Sequence, residues 1–276
     1  MSELSPVELN KRKILTPAYL QSYIRVVVTL GLLLCLWQGT IWLFSLPSFI
    51  LPSPIAVLDR LYYRHDVLLH HTWITGCEII LGLALGLLMG LFFALLMLLF
   101  APVKRWLLPI LIASQAIPVF AIAPILMLWL GYGMASKIVM AGLIIFFPVT
   151  TCCFDGLRHT PQGYLDLAKT MGATPWQLLK TIRLPAALPA LASGIRVAVV
   201  IAPIGAVVGE WVGSSEGLGY LMLQANARMM IDEMFAALTI LALLSISLYY
   251  LTDKLLKKTD PMAITPDITT LIQGIR

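Results

Sequence analysis

Six long apolar runs, separated by short polar stretches, set the architecture of this chain. They cover residues 24–46, 72–100, 106–130, 138–153, 188–212 and 235–251. A helix needs about 20 apolar residues to cross the hydrocarbon core of a bilayer, and most of these runs reach that length. The pattern predicts an all-α, polytopic membrane protein with about six transmembrane helices. In the second run Gly82, Gly86 and Gly90 recur at every fourth position. That spacing lines them up on one helix face, where a neighbouring backbone can approach closely. Pro118 and Pro124 interrupt the third run, so the carbonyls they free need partners in the bundle or in a wet cavity. Residues 213–234 read as a polar connection.

The longest polar interruption of the second half is the loop 160–189, TPQGYLDLAKTMGATPWQLLKTIRLPAALP. Its punctuation predicts two short helices. Thr160 and Pro161 supply an N-cap and a first-turn proline. Gly172 can take the left-handed conformation that closes the first helix. Thr174 and Pro175 restart the chain, and Gln177 completes a capping box. Pro185 is expected to stop the second helix. Apolar Leu167, Met171, Trp176, Leu179 and Ile182 alternate with charged Asp166, Lys169, Lys180 and Arg183. The pair makes an amphipathic knob suited to docking on a soluble partner.

Composition supports the membrane reading. Hydrophobic residues make up 59% of the 276, charged residues 12%, and mean hydropathy is +0.90. A soluble domain carries about 25% charge. One bundle at 24–258 is expected, flanked by polar segments at 1–23 and 259–276. The basic residues also choose an orientation. Lys11, Arg12, Lys13 and Arg25, the turn Lys104-Arg105, the loop 160–189 with its flanks Arg158 and Arg196, and Lys254, Lys257, Lys258 and Arg276 fall on one side. Only Arg60, Arg64, Lys137 and Arg228 fall on the other. The positive-inside rule then puts both termini and the knob in the cytoplasm. The net charge of +5 is thus a membrane signature rather than a nucleic-acid footprint, and lipid is the surrounding partner.

Several chemistries lack their residues. Cys35, Cys77, Cys152 and Cys153 form no C-x-x-C pair, so neither a disulfide nor a zinc site is expected. No cleavable signal peptide is expected, because the first apolar run is too long for one. No phosphate-cradling G-x-x-x-x-G-K-[ST] or H-E-x-x-H motif occurs, so ATP hydrolysis and zinc proteolysis are not expected of this chain. His65, His70, His71 and His159 lie outside the apolar runs, which leaves no base to activate an intramembrane serine. The tandem His70-His71 lacks a carboxylate or thiol to complete a metal site and reads as solvated. The runs hold few ionisable groups, chiefly Glu78, Arg196 and Glu210. A self-contained secondary transporter, the alternative class, usually carries carboxylates at depth and two related halves.

The loop also carries a family resemblance. It resembles the cytoplasmic EAA loop of bacterial ABC importer permeases, whose pattern is E-A-A, three residues, Gly, nine residues, then I-x-L-P. Asp166, Leu167 and Ala168 hold the first triplet, Gly172 the glycine, and Ile182, Leu184 and Pro185 the end. Asp stands for the usual Glu and Leu for the first Ala. Further pieces, LPSP at 51–54, Phe147-Pro148, LPAALP at 184–189 and Gly217-Leu218-Gly219-Tyr220, resemble the nitrate, sulfonate and taurine subfamily. Residues 202–229 look closer to permeases for hydroxymethylpyrimidine, a thiamine precursor.

The resemblance implies a type I importer permease fold with a cytoplasmic coupling helix, in the bacterial inner membrane. It implies two copies of this chain, two ATPase subunits and a periplasmic substrate-binding protein. It implies no catalytic residue and no cofactor here, with ATP and Mg on the ATPase. Asp166, Leu167, Ala168, Gly172, Ile182, Leu184 and Pro185 would form the coupling contact. Glu210 and Trp211 admit two readings, lining of the translocation path or an interfacial carboxylate beside an anchoring tryptophan.

Overall fold

The computed structural model describes residues 17–259, with side chains from 24 to 257. The basic cluster at Lys11–Lys13 and the tail beyond Thr259 lie outside the described residues. The described chain is helical throughout, in the order α1 (Pro17–Phe44), α2 (Pro54–Tyr63), α3 (His65–Leu99), α4 (Ala101–Ser114) and α5 (Val119–Leu130). It continues as α6 (Met134–Arg158), α7 (Gln162–Thr170), α8 (Pro175–Leu178), a π turn (Leu179–Arg183), α9 (Leu184–Gly213), α10 (Leu218–Ala227) and α11 (Ile231–Thr259). Five helices are long and apolar enough to cross a membrane: α1, α3, α6, the unit at 175–213 and α11. The third apolar run instead forms α4 and α5, which meet at an angle of 105°. Counted as one span, that pair brings the number to six.

The bend sits at Gln115–Pro118, where Pro118 is extended at φ −58° and ψ 119°. Pro124 lies inside α5 without ending it. One of the two prolines thus breaks the run and the other is carried by its neighbours, as membrane helices allow. Pro102 sits in the first turn of α4, where its missing N–H costs nothing. Within the LPSP segment Ser53 caps α2, its Oγ accepting from the Ala56 amide at 3.2 Å.

The centre of the bundle is the trio α3, α6 and α9. Lipid tails are as apolar as leucine, so close packing and hydrogen bonds, more than hydrophobic burial, hold spans together. The glycine face of α3 supplies the packing. Gly82 lies against Ala141, Gly86 against Ile145 and Gly90 against Val149, each too close for an added Cβ. Buried Ile79, Ile145, Val149, Ala198, Ala202 and Ala206 continue this seam. A cluster containing Met97, Leu111, Phe154, Leu157, Leu179 and Ala187 closes the knob end. Val57, Leu68, Leu218, Leu221, Ala236 and Ala237 close the opposite end. By contrast, the apolar side chains of α1 are almost wholly exposed.

Several helix boundaries depart from the sequence reading. Helix α1 begins at Pro17 rather than near Ile24, and α3 at His65 rather than Thr72. His70 and His71 are therefore helical and not in a loop. Hydropathy marks the stretch immersed in hydrocarbon, whereas helices run on into the interface. The helix α6 starts at Met134 and takes in Lys137, and the polar connection 213–234 contains α10.

Candidate functional site

The knob is built by local signals. Helix α7 starts at Gln162, with Pro161 at its N-cap and no side-chain cap. Thr160 donates instead to the Leu157 carbonyl at 3.1 Å, so it finishes α6 and does not open α7. Gly172, at φ +82°, ends α7 in the left-handed region that glycine adopts without a steric cost. The capping box forms as read: Thr174 Oγ1 accepts from the Gln177 amide at 3.3 Å, and Gln177 Oε1 accepts from the Thr174 amide at 2.8 Å.

Pro185 does not stop the second helix. In an α register its ring would meet the carbonyl one turn back. The π turn Leu179–Arg183 widens the ladder, with the Leu184 amide donating to the Leu179 carbonyl. Pro185 then falls in the first turn of α9, where its missing donor is no loss. The knob is thereby joined rigidly to a span of the central trio.

Its surface is unusually apolar. Tyr164, Leu167, Met171 and Trp176 are 61–80% exposed, while Leu165 and Leu179 anchor the knob from beneath. An open cleft of about 410 Å³ lies between the two arms, lined by Tyr164, Leu167, Ala168, Met171, Thr181, Ile182 and Ala186. Exposed apolar side chains grouped around a cleft are a feature that interaction surfaces share. Of the residues singled out from sequence, Leu167, Ala168 and Ile182 line the cleft, and Gly172 shapes it. Asp166 is exposed beside it and pairs with Lys169 at 3.2 Å. Leu184 and Pro185 lie at the root of α9, with Leu184 38% exposed.

At the far end of α9 the chemistry is buried. Glu210 is 1% exposed. Thr75 donates to its Oε1 at 2.6 Å, and the Gly219 amide donates to its Oε2 at 2.5 Å. Within one copy of the chain this carboxylate therefore meets neither lipid nor water, whereas its neighbour Trp211 is 50% exposed. Lys137 Nζ donates to Glu78 Oε1 at 2.8 Å, both side chains being almost fully buried. His71 Nδ1 accepts from the Gly217 amide at 2.9 Å.

Thr75, Glu78, Lys137 and His71 as one cluster with Glu210 were not foreseen from the sequence. The available signal was helical spacing: residues 71, 75 and 78 share one face. Three of the four cations on the sparse side also have carboxylate partners. Arg60 binds Asp232 at 2.5 Å, Arg64 binds Glu233 at 3.1 Å, and Lys137 binds Glu78. The hydrogen bond that Arg60 Nε donates to Asp232 holds the guanidinium above its ordinary range.

The knob's spacing and the spans around it agree with a direct comparison. Residues 82–262 match the family model for the binding-protein-dependent transport system inner membrane component. The chain belongs to this family. It is a permease subunit of the ABC importer type, which works with a separate ATPase and a binding protein, and it is not itself an enzyme. A protein of Haemophilus influenzae named as a probable ABC transporter permease is 59% identical over 85% of this chain and 96% of its own length. The formylaminopyrimidine transport permease ThiX of Halalkalibacterium halodurans is 39% identical, over 78% of this chain and 86% of its own. The riboflavin transport permease RibX of Chloroflexus aurantiacus is also 39% identical, over 81% and 84%. Permeases named for sulfonates and taurine match at lower identity. Among solved structures, the MetNI methionine ABC transporter in an inward-facing conformation matches with a TM-score of 0.61. It is 21% identical and covers 70% of this chain and 95% of that one, a likeness of fold. The permease is thus an inner-membrane, multi-pass protein of the type I importer architecture.

Proposed function

We propose that this permease imports a thiamine-precursor pyrimidine, hydroxymethylpyrimidine or a close relative, delivered by a periplasmic binding protein. The observation that carries the substrate class is the 39% identity to the formylaminopyrimidine permease. The equal identity of the riboflavin permease keeps to the same chemistry, a flat nitrogen heterocycle. Sulfonate, taurine or nitrate import remains the alternative in the wider subfamily. The experiment is competitive uptake in vesicles carrying the full transporter, with labelled hydroxymethylpyrimidine as probe. Uptake blocked by excess formylaminopyrimidine and untouched by taurine is the expected result. Uptake of riboflavin or taurine without the pyrimidine would overturn the assignment.

The same proposal covers coupling and orientation. The apolar cleft of the knob is the surface on which the ATPase docks, and two copies of the permease share the translocation path. ATP closes the ATPase pair, the knobs move with it, and α9 carries that motion toward the far end of the bundle. Both termini and the knob face the cytoplasm. The excess of lysine and arginine on the knob side supports this orientation. The end that holds Glu210 is then the outer end.

A further inference from the structure

We propose that Glu210, Thr75 and His71 form a latch that clamps the short helix α10 across the outer end of the bundle, and that the latch releases when the partner ATPase binds ATP. The inference rests on the reading of this chain as an ATP-driven permease with Glu210 at its outer end.

The first amides of a helix have no partner within it and are usually met by the helix's own N-cap side chain or by water. Helix α10 has neither source. Its N-cap is Gly217, which has no side chain, and the site is buried. Three consecutive amides instead donate to side chains from two other helices. Gly217 donates to His71 Nδ1 at 2.9 Å, Leu218 to Thr75 Oγ1 at 2.8 Å, and Gly219 to Glu210 Oε2 at 2.5 Å. The bond from Thr75 to Glu210 Oε1 closes the chain of contacts. Three donors at the amino end of α10 therefore have protein partners only while it is docked on α3 and α9.

The seat is shaped for this carboxylate. Gly217 stands at φ +109°, and a Cβ at either Gly217 or Gly219 would run into the Glu210 carboxyl group. The Gly-Leu-Gly sequence thus admits Glu210 on either side of Leu218, whose own side chain is 0% exposed. The carboxylate also suits the positive end of the helix dipole. Glu78 lies beside it, in an ion pair with Lys137 at 2.8 Å. Helix α10 is bounded by two left-handed residues, Gly217 and Met229 at φ +59°, positions at which a segment can swivel.

The polar part of the clamp, around a carboxylate that hydration would stabilise once exposed, is reversible, and buried Leu218, Leu221 and Met222 add apolar packing on the same helix. An importer has to open its outer end in each cycle, and this fastening spans the helices that meet there.

The test uses the whole transporter, permease with ATPase and binding protein, in nanodiscs. Cys35, Cys77, Cys152 and Cys153 are replaced, and Leu218→Cys is probed with a soluble maleimide. Nanodiscs expose both faces, so the result does not depend on which end is outer. We expect slow labelling without nucleotide and fast labelling after trapping with ATP and vanadate. Glu210→Gln, which exchanges an acceptor for a donor, should speed labelling without nucleotide by roughly threefold to tenfold, the loss of about one hydrogen bond. Gly219→Ala should do the same, and the double variant should add little, because both break one contact. A cysteine at buried Ile145 of the central seam serves as control and should stay protected throughout. Equal labelling of Leu218→Cys with and without trapping overturns the latch, and that comparison needs no Glu210 variant. Wild-type protection in both Glu210→Gln and Gly219→Ala, or equal loss of protection at position 145, overturns it as well.

Discussion

The knob and the latch lie at the two ends of α9, about 39 Å apart along the helix from Leu184 to Glu210, and they are built in opposite ways. The knob is exposed, and its shape comes from neighbours in sequence: a left-handed glycine, a capping box and a proline absorbed by a π turn. The cluster at the far end is buried, and most of its contacts join residues more than 50 positions apart, such as Lys137 with Glu78 and Leu218 with Thr75. The knob keeps its apolar side chains exposed, as the proposed docking surface requires. The far end buries its charged groups and satisfies them with an ion pair and hydrogen bonds. Substitutions should therefore act differently at the two ends, on stability in the buried ion pair beside the latch and on transport at the knob.

The largest stability loss is expected from Glu78→Ala. It removes the direct partner of buried Lys137; losing one partner of such a pair costs up to about 3–5 kcal/mol, an upper bound here because the Glu210 carboxylate lies close to Lys137. Thermal unfolding of the purified protein should show it, and the double change Glu78→Met with Lys137→Met should recover most of the loss. A single variant no worse than the double would break the contrast.

Next comes Gly86→Val in the central seam. The added Cβ would approach Ile145 Cγ2 to 2.6 Å, and overpacking of this kind costs about 1–3 kcal/mol. The same readout applies, with a separated α3–α6 contact measurable by cysteine cross-linking.

Gly172→Val sharpens the comparison. The position is open, with nothing within 4 Å of an added Cβ, so the cost is backbone strain alone, roughly 1–2 kcal/mol. Membrane insertion should persist while uptake falls steeply. Normal uptake would separate the knob from transport. The smallest effect is expected for Lys169→Ala, whose ion pair with Asp166 is more than half exposed on both sides; unfolding should shift by less than about 0.5 kcal/mol.

The same contrast explains what was legible in the sequence. Fold class, the glycine face of α3, the turn at Gly172 and the capping box at Thr174 all follow from short-range rules. Pro185 was misjudged because a π turn upstream changes what a proline costs, and no residue announces that turn. The interfacial lengths of α1 and α3 were missed because hydropathy reports immersion and not helicity. Lys137 looked like a loop cation because its partner, Glu78, lies on another span. Position along the chain cannot reveal that pairing, although the cost of an unpaired buried lysine demands one. Glu210 was recognised as out of place in an apolar run, but its donors come from Thr75 and from a helix hidden in a polar connection.

The central claim is that the exposed cleft of the knob is the ATPase contact. Met171→Cys tests it most directly, since Met171 is 80% exposed and lines that cleft. Labelled with a maleimide in a background free of other cysteines, it should react rapidly in the isolated permease and be protected once the ATPase has assembled. Equal reactivity in the isolated permease and in the assembled, ATP-hydrolysing transporter would contradict the account.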